Sequence, residues 1–116
     1  MKSPRKREGR CYELALRVML NPEAETWTLV HGSVVSLSYD PPSRISHAWI
    51  ELPDGRIYDP ASDRYEAAEK WQAHAIIDQR YSRVEACRIF TVTGCHCGPW
   101  TDAERADAAS RQWGQA

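Results

Sequence analysis

Pro53-Asp54-Gly55 separates two runs of strand-like residues, Ile45 to Leu52 and Arg56 to Asp59, and it constrains the chain more than any other segment. A tight connection between two such runs makes an antiparallel hairpin. The length of the connection then decides which residues share a face. A two-residue loop at Asp54-Gly55 pairs Leu52 with Ile57 and sets Asp59 opposite Ile50, on the face away from His47. A three-residue loop pairs Leu52 with Arg56 and Trp49 with Asp59. Asp59 then becomes a diagonal neighbour of His47, about 7–8 Å away between Cα atoms. The residues favour three. Proline suits the first turn position, aspartate the second, and glycine the left-handed third. A slip of one residue would carry Asp59 to the opposite face.

Upstream of the hairpin, Cys11, Leu14, Ala15, Val18 and Met19 recur at helical spacing, and Asn21-Pro22 ends the pattern. Pro22 to Glu25 suits a short further turn. Trp27 to Leu37 is rich in β-branched and aromatic residues and reads as a strand, bulged at Gly32. Beyond Asp59, Ser62 or Asp63 can cap a helix over Tyr65 to Ala75. Ser82 to Thr93 alternates Val84, Ala86, Arg88, Phe90 and Val92 with Cys87, Ile89 and Thr91, which predicts a fourth strand. Thr101-Asp102-Ala103-Glu104 is a capping box that opens a polar helix reaching about Trp113. The order α-β-β-β-α-β-α predicts an α+β fold, with an N-terminal helix packed on a small antiparallel sheet and further helices after the central hairpin.

The chain has 116 residues, enough for one domain and one core. We expect residues 1–9 to form a flexible basic arm and residues 10–116 a single compact domain. The N-terminus carries Lys2, Arg5, Lys6, Arg7 and Arg10 against Glu8. No basic stripe continues it, and net charge is −1, so nucleic acid is not an expected partner. Hydrophobic residues make up 42% and charged residues 27%, the composition of a globular protein. The longest apolar candidate, Cys11 to Leu20, includes Glu13 and Arg17 and is too short to span a bilayer. A cytoplasmic location is therefore expected, with Cys11, Cys87, Cys95 and Cys97 as reduced thiols.

Cys11 at a helix start, His47 in mid-strand and Asp59 on the neighbouring strand combine a nucleophile, a base and an orienting acid. A thiol at a helix N-terminus feels the positive end of the dipole. The backbone N–H of Cys11 can help hold an oxyanion. Asp59 can accept the second His47 N–H and fix the ring tautomer. Each residue also has an ordinary reading: Cys11 as a buried thiol on the apolar stripe, His47 as a satisfied strand histidine, Asp59 as a shaper of the strand exit before Pro60.

Cys11-Tyr12-Glu13-Leu14-Ala15, His47-Ala48-Trp49-Ile50-Glu51 and Tyr58-Asp59-Pro60 together resemble the papain-like thiol fold. The pattern is most similar to the transglutaminase-like and arylamine N-acetyltransferase branch, and small bacterial and phage proteins of unassigned function show a similar one. The resemblance covers about residues 9–60. It implies Cys11 as nucleophile, His47 as base and acid, and Asp59 as orienter. It further implies a cysteine-dependent acyl-transfer enzyme (amide hydrolase, deamidase or acyltransferase) acting without a cofactor on a protein, peptide or small amide or acyl substrate. The alternative is a non-catalytic binding or inhibitor protein on the same fold, of the phage-encoded kind. No glutamine precedes Cys11 to serve as oxyanion donor, which leaves Trp27 or His31 as side-chain substitutes. Trp27, His31, Trp49 and His96 are the candidate substrate contacts, although Trp49 equally suits core packing.

Cys95-His96-Cys97 raises the question of zinc. Structural zinc wants four ligands, usually from spaced pairs. Adjacent residues point apart, and a fourth ligand would have to come from Cys87, His74 or His31. The sequence favours a glycine-flanked loop with incidental thiols, and no metal is expected.

Overall fold

The computed structural model describes residues 10–114; the basic arm expected over residues 1–9 lies outside them. The elements are helix α1 (Cys11–Leu20), a 3-10 turn (Pro22–Thr26), strands β1 (Thr28–Ser36), β2 (Ser43–Glu51), β3 (Arg56–Asp59) and β4 (Arg64–Ala67), short helix α2 (Ala68–Gln72), strand β5 (Ala75–Ser82), and helices α3 (Arg83–Val92) and α4 (Asp102–Ser110). The fold is α+β. Its five strands form one antiparallel sheet in the order β4-β3-β2-β1-β5.

Apolar side chains cover both faces of the sheet. On one face, Leu29, Ala48, Ile50 and Tyr81 pack against Ala15, Leu16 and Met19 of α1, Ala86 and Ile89 of α3, and Ala108 of α4. On the other, Val30, Val34, Trp49 and Ile57 pack against Trp71 of α2. No helix is long and apolar enough to cross a membrane among the described residues.

The hairpin takes the three-residue loop. The Leu52 N–H donates to the Arg56 carbonyl at 2.9 Å, and the Gly55 N–H donates to the Leu52 carbonyl at 3.0 Å. Gly55 has φ +88°, the left-handed geometry that the third turn position needs. Ile50 pairs with Tyr58 and Glu51 with Ile57, so Trp49 comes opposite Asp59. The β1–β5 register shifts between His31 and Gly32, at the glycine where a bulge was expected.

Two expectations are overturned. Ser82 to Thr93 is not a strand. Ser82 caps a helix: its hydroxyl accepts from the Glu85 N–H at 3.1 Å, and Glu85 returns a bond to the Ser82 N–H at 2.9 Å. The alternating pattern was incidental, since the residues α3 buries are Ala86 and Ile89, three apart. Tyr65 to Ala75 is not one helix either. Only Ala68–Gln72 is helical, and its flanks pair as β4 and β5. Cross-strand partners override local helix propensity there.

Candidate active site

Cys11 is the first residue of α1, and Arg10, its N-cap, supplies no side-chain acceptor to the first turn. The opening N–H groups of a helix have no intrahelical partner, so they remain available beside the sulfur. Helix α1 packs against β2, and β3 pairs with β2 only at Ile50 and Glu51. The stretch of β2 around His47 is thus free of β3, and Cys11 enters there. Its thiol lies near enough to the His47 ring to act on the ring's titration. His47 Nε2 lies 2.9 Å from Asp59 Oδ1, which leaves Nδ1 for the sulfur. Cys11, His47 and Asp59 are all buried.

Asp59 is held in turn. Its Oδ1 accepts the Ala61 N–H at 3.2 Å, and its Oδ2 accepts the Ser62 hydroxyl at 2.9 Å. Asp59 therefore shapes the strand exit and orients His47 with the same carboxylate. Ala61 and Ser62 were missed as supports, although Asp-Pro-x-Ser is a readable side-chain-to-backbone turn signal. Behind His47 lie the rings of Trp49 and Trp71, each with its centroid 6.2 Å from the imidazole.

The electrostatics follow from these contacts. Burial alone would push the His47 pKa down. The Asp59 hydrogen bond opposes it, and the Cys11 contact adds to Asp59, so the ring is pushed up to about 9. His47 is then an imidazolium at neutral pH. Next to Cys11, burial and then the nearby sulfur raise the Tyr12 hydroxyl to about 12.

The expected substrate contacts are scattered. Trp49 is fully enclosed in the core under the sheet, so it supports the site from behind and offers substrate no surface. His31 pairs with Ala48 and His47 with Gly32, so the two histidines project to opposite faces. His31 is buried among the Tyr12, Tyr81 and Trp100 rings at 4.7, 5.0 and 5.1 Å. Burial, helped by the Arg105 charge, lowers it to about 4, so it is neutral. Trp27 precedes β1, five residues and roughly 16 Å along the strand from Gly32. His96 is exposed, and its Nε2 lies 3.2 Å from the Pro99 carbonyl oxygen. All four cysteines are free thiols. Among the described residues no group of three or more His, Cys, Asp or Glu is placed to share a metal ion.

The two buried histidines predict how stability varies with pH. His47 titrates at about 9 when folded against an ordinary 6.5. Its contribution is full below pH 6.5 and is lost as pH rises through 9. His31 titrates at about 4 against 6.5. Its contribution is full above pH 6.5 and is lost as pH falls through 4. Urea unfolding should therefore show greatest stability near pH 6.5, and His31→Phe should flatten the acid limb. A midpoint independent of pH between 4 and 9 would contradict both shifts.

No family model matches the chain, and no curated protein or solved structure shows significant similarity to it.

Proposed function

We propose that the protein is a small cysteine-dependent acyl-transfer enzyme with Cys11 as nucleophile, His47 as acid and base, and Asp59 as orienter, on a papain-like core. One observation carries the reading: a single buried imidazole that meets the Asp59 carboxylate through Nε2 at 2.9 Å and has the Cys11 thiol close enough to act on its titration. An imidazolium beside sulfur favours the thiolate. The thiolate attacks an amide or ester carbonyl carbon and forms a C–S bond. Unpaired N–H groups at the start of α1 hold the developing oxyanion. His47 passes its proton to the leaving amine or alcohol as the C–N or C–O bond breaks. Water or an acceptor amine then attacks the thioester, His47 takes that nucleophile's proton, and the sulfur departs. Cys11 is only 2% exposed, which favours a slim acyl group over a bulky one.

Alkylation rates test this. Access alone would make exposed Cys95 the fastest thiol. With the triad at work, iodoacetamide at neutral pH labels Cys11 first, and His47→Ala removes the preference. Equal labelling of the four thiols, or none at Cys11, would sink the enzyme reading.

The enclosure of Cys11 favours a second reading, a binding or inhibitor protein on the same fold. Cys11→Ala separates the two: a biological effect that survives it needs no chemistry at sulfur.

A further inference from the structure

We propose that the cleft between α3, α4 and the end of β5 is a second binding site, independent of the Cys11 triad, for a small carboxylate with an apolar body. The cleft encloses about 490 Å³, within the range of small-molecule pockets. Its lining combines two guanidiniums, Arg88 and Arg105, with one carboxylate, Glu85. Arg105 is also ion-paired with Asp102, so the cation left to meet an incoming monoanion is Arg88. Glu85 is engaged at the start of α3, where its Oε1 accepts the Ser82 N–H.

Arg105 is set in advance. Its Nη1 donates to the Trp100 carbonyl at 2.7 Å and to the Tyr81 hydroxyl at 3.3 Å, and Nη2 reaches the solvent-facing Asp102. A guanidinium fixed in this way loses little freedom when it takes a further acceptor. Arg88 stacks on the Trp113 ring at 5.2 Å and meets no hydrogen-bond acceptor among the described residues. Two forked donors at one cleft are the usual means of holding a carboxylate. The apolar side of the cleft, Ile89 with Ala106 and Ala109, has no use for a free inorganic anion. It provides contact for an acyl chain or a ring.

The site reports its own occupancy. Arg105 contributes to the depression of His31, and the Tyr81 ring bridges the two. A carboxylate neutralising Arg105 therefore raises the His31 titration, a change that a ligand held by apolar contact alone does not produce.

The test uses the full chain followed by NMR, with octanoate and its neutral counterpart octanamide as probes. Octanoate should give saturable shifts at Ile89, Ala106 and Ala109, bind roughly tenfold more tightly than octanamide, and move the His31 titration upward. Arg88 is exposed, so Arg88→Gln should leave the fold intact and erase the preference, while Arg88→Lys should keep part of it. Cys11→Ala should change none of this, so failure of the triad reading leaves the cleft reading standing. Equal binding of the two probes, an unaltered preference in Arg88→Gln, or no saturable binding of octanoate would overturn the proposal.

Discussion

Asp59→Ala should destabilise the fold by about 3–5 kcal/mol in denaturant unfolding at pH 7. The substitution leaves a buried imidazolium without its counter-charge. It also strips the Ala61 N–H and the Ser62 hydroxyl of their acceptor. Asp59→Asn keeps the shape and removes the charge, so it separates packing from electrostatics. In that variant burial meets weaker opposition, and the His47 titration should fall from about 9, as seen by NMR of the ring protons. Alkylation of Cys11 should slow by about tenfold or more, because the ring is no longer held as donor and base. A loss under about 1 kcal/mol in Asp59→Ala, with His47 still titrating where it did, would show that the carboxylate is not what holds the ring.

Gly32→Ala is the second large effect, and it concerns the sheet rather than the chemistry. A Cβ at Gly32 would lie 2.1 Å from the Ile76 carbonyl oxygen and 2.8 Å from Trp49 Cη2. The first neighbour is backbone and cannot swing aside. The second is an indole in the core behind His47. Relief requires β5 to part from β1 or Trp49 to leave its place, and we expect a loss of about 3 kcal/mol or more. Unfolding by urea measures it directly. A variant within about 1 kcal/mol of the parent would mean that β1 and β5 are not paired through the bulge as described.

The first prediction depends on a hairpin that can be read from local chemistry. Pro53, Asp54 and Gly55 each suit one position of a three-residue turn, and pairing by twos from that turn carries Asp59 to the His47 face. The start of α1 at Cys11 was equally legible, because its apolar stripe and the Asn21-Pro22 stop lie within the segment. The Thr101–Glu104 capping box marked α4 for the same reason.

The errors lie where a segment's state depends on a distant partner. Ala75 to Ser82 becomes a strand because the edge of β1 accepts it. Arg83 to Val92 is then free to turn helical from the Ser82–Glu85 box, a signal that was present but outweighed by a misleading alternation. His31 shows the same division: its strand was foreseen, but its neutral, enclosed state follows from Tyr12, Tyr81 and Trp100, which come from three other parts of the chain.

Local rules were thus enough to say which side of the sheet His47 and Asp59 share and that a thiol opens the first helix, because turn type and helix ends are governed by neighbours in sequence. Packing alone decided that Cys11 comes beside the ring, that it is almost wholly buried, and that α3 and α4 leave a cleft against β5 lined by Arg88 and Arg105. Those outcomes depend on contacts between segments tens of residues apart, whose geometry exists only once the sheet has assembled.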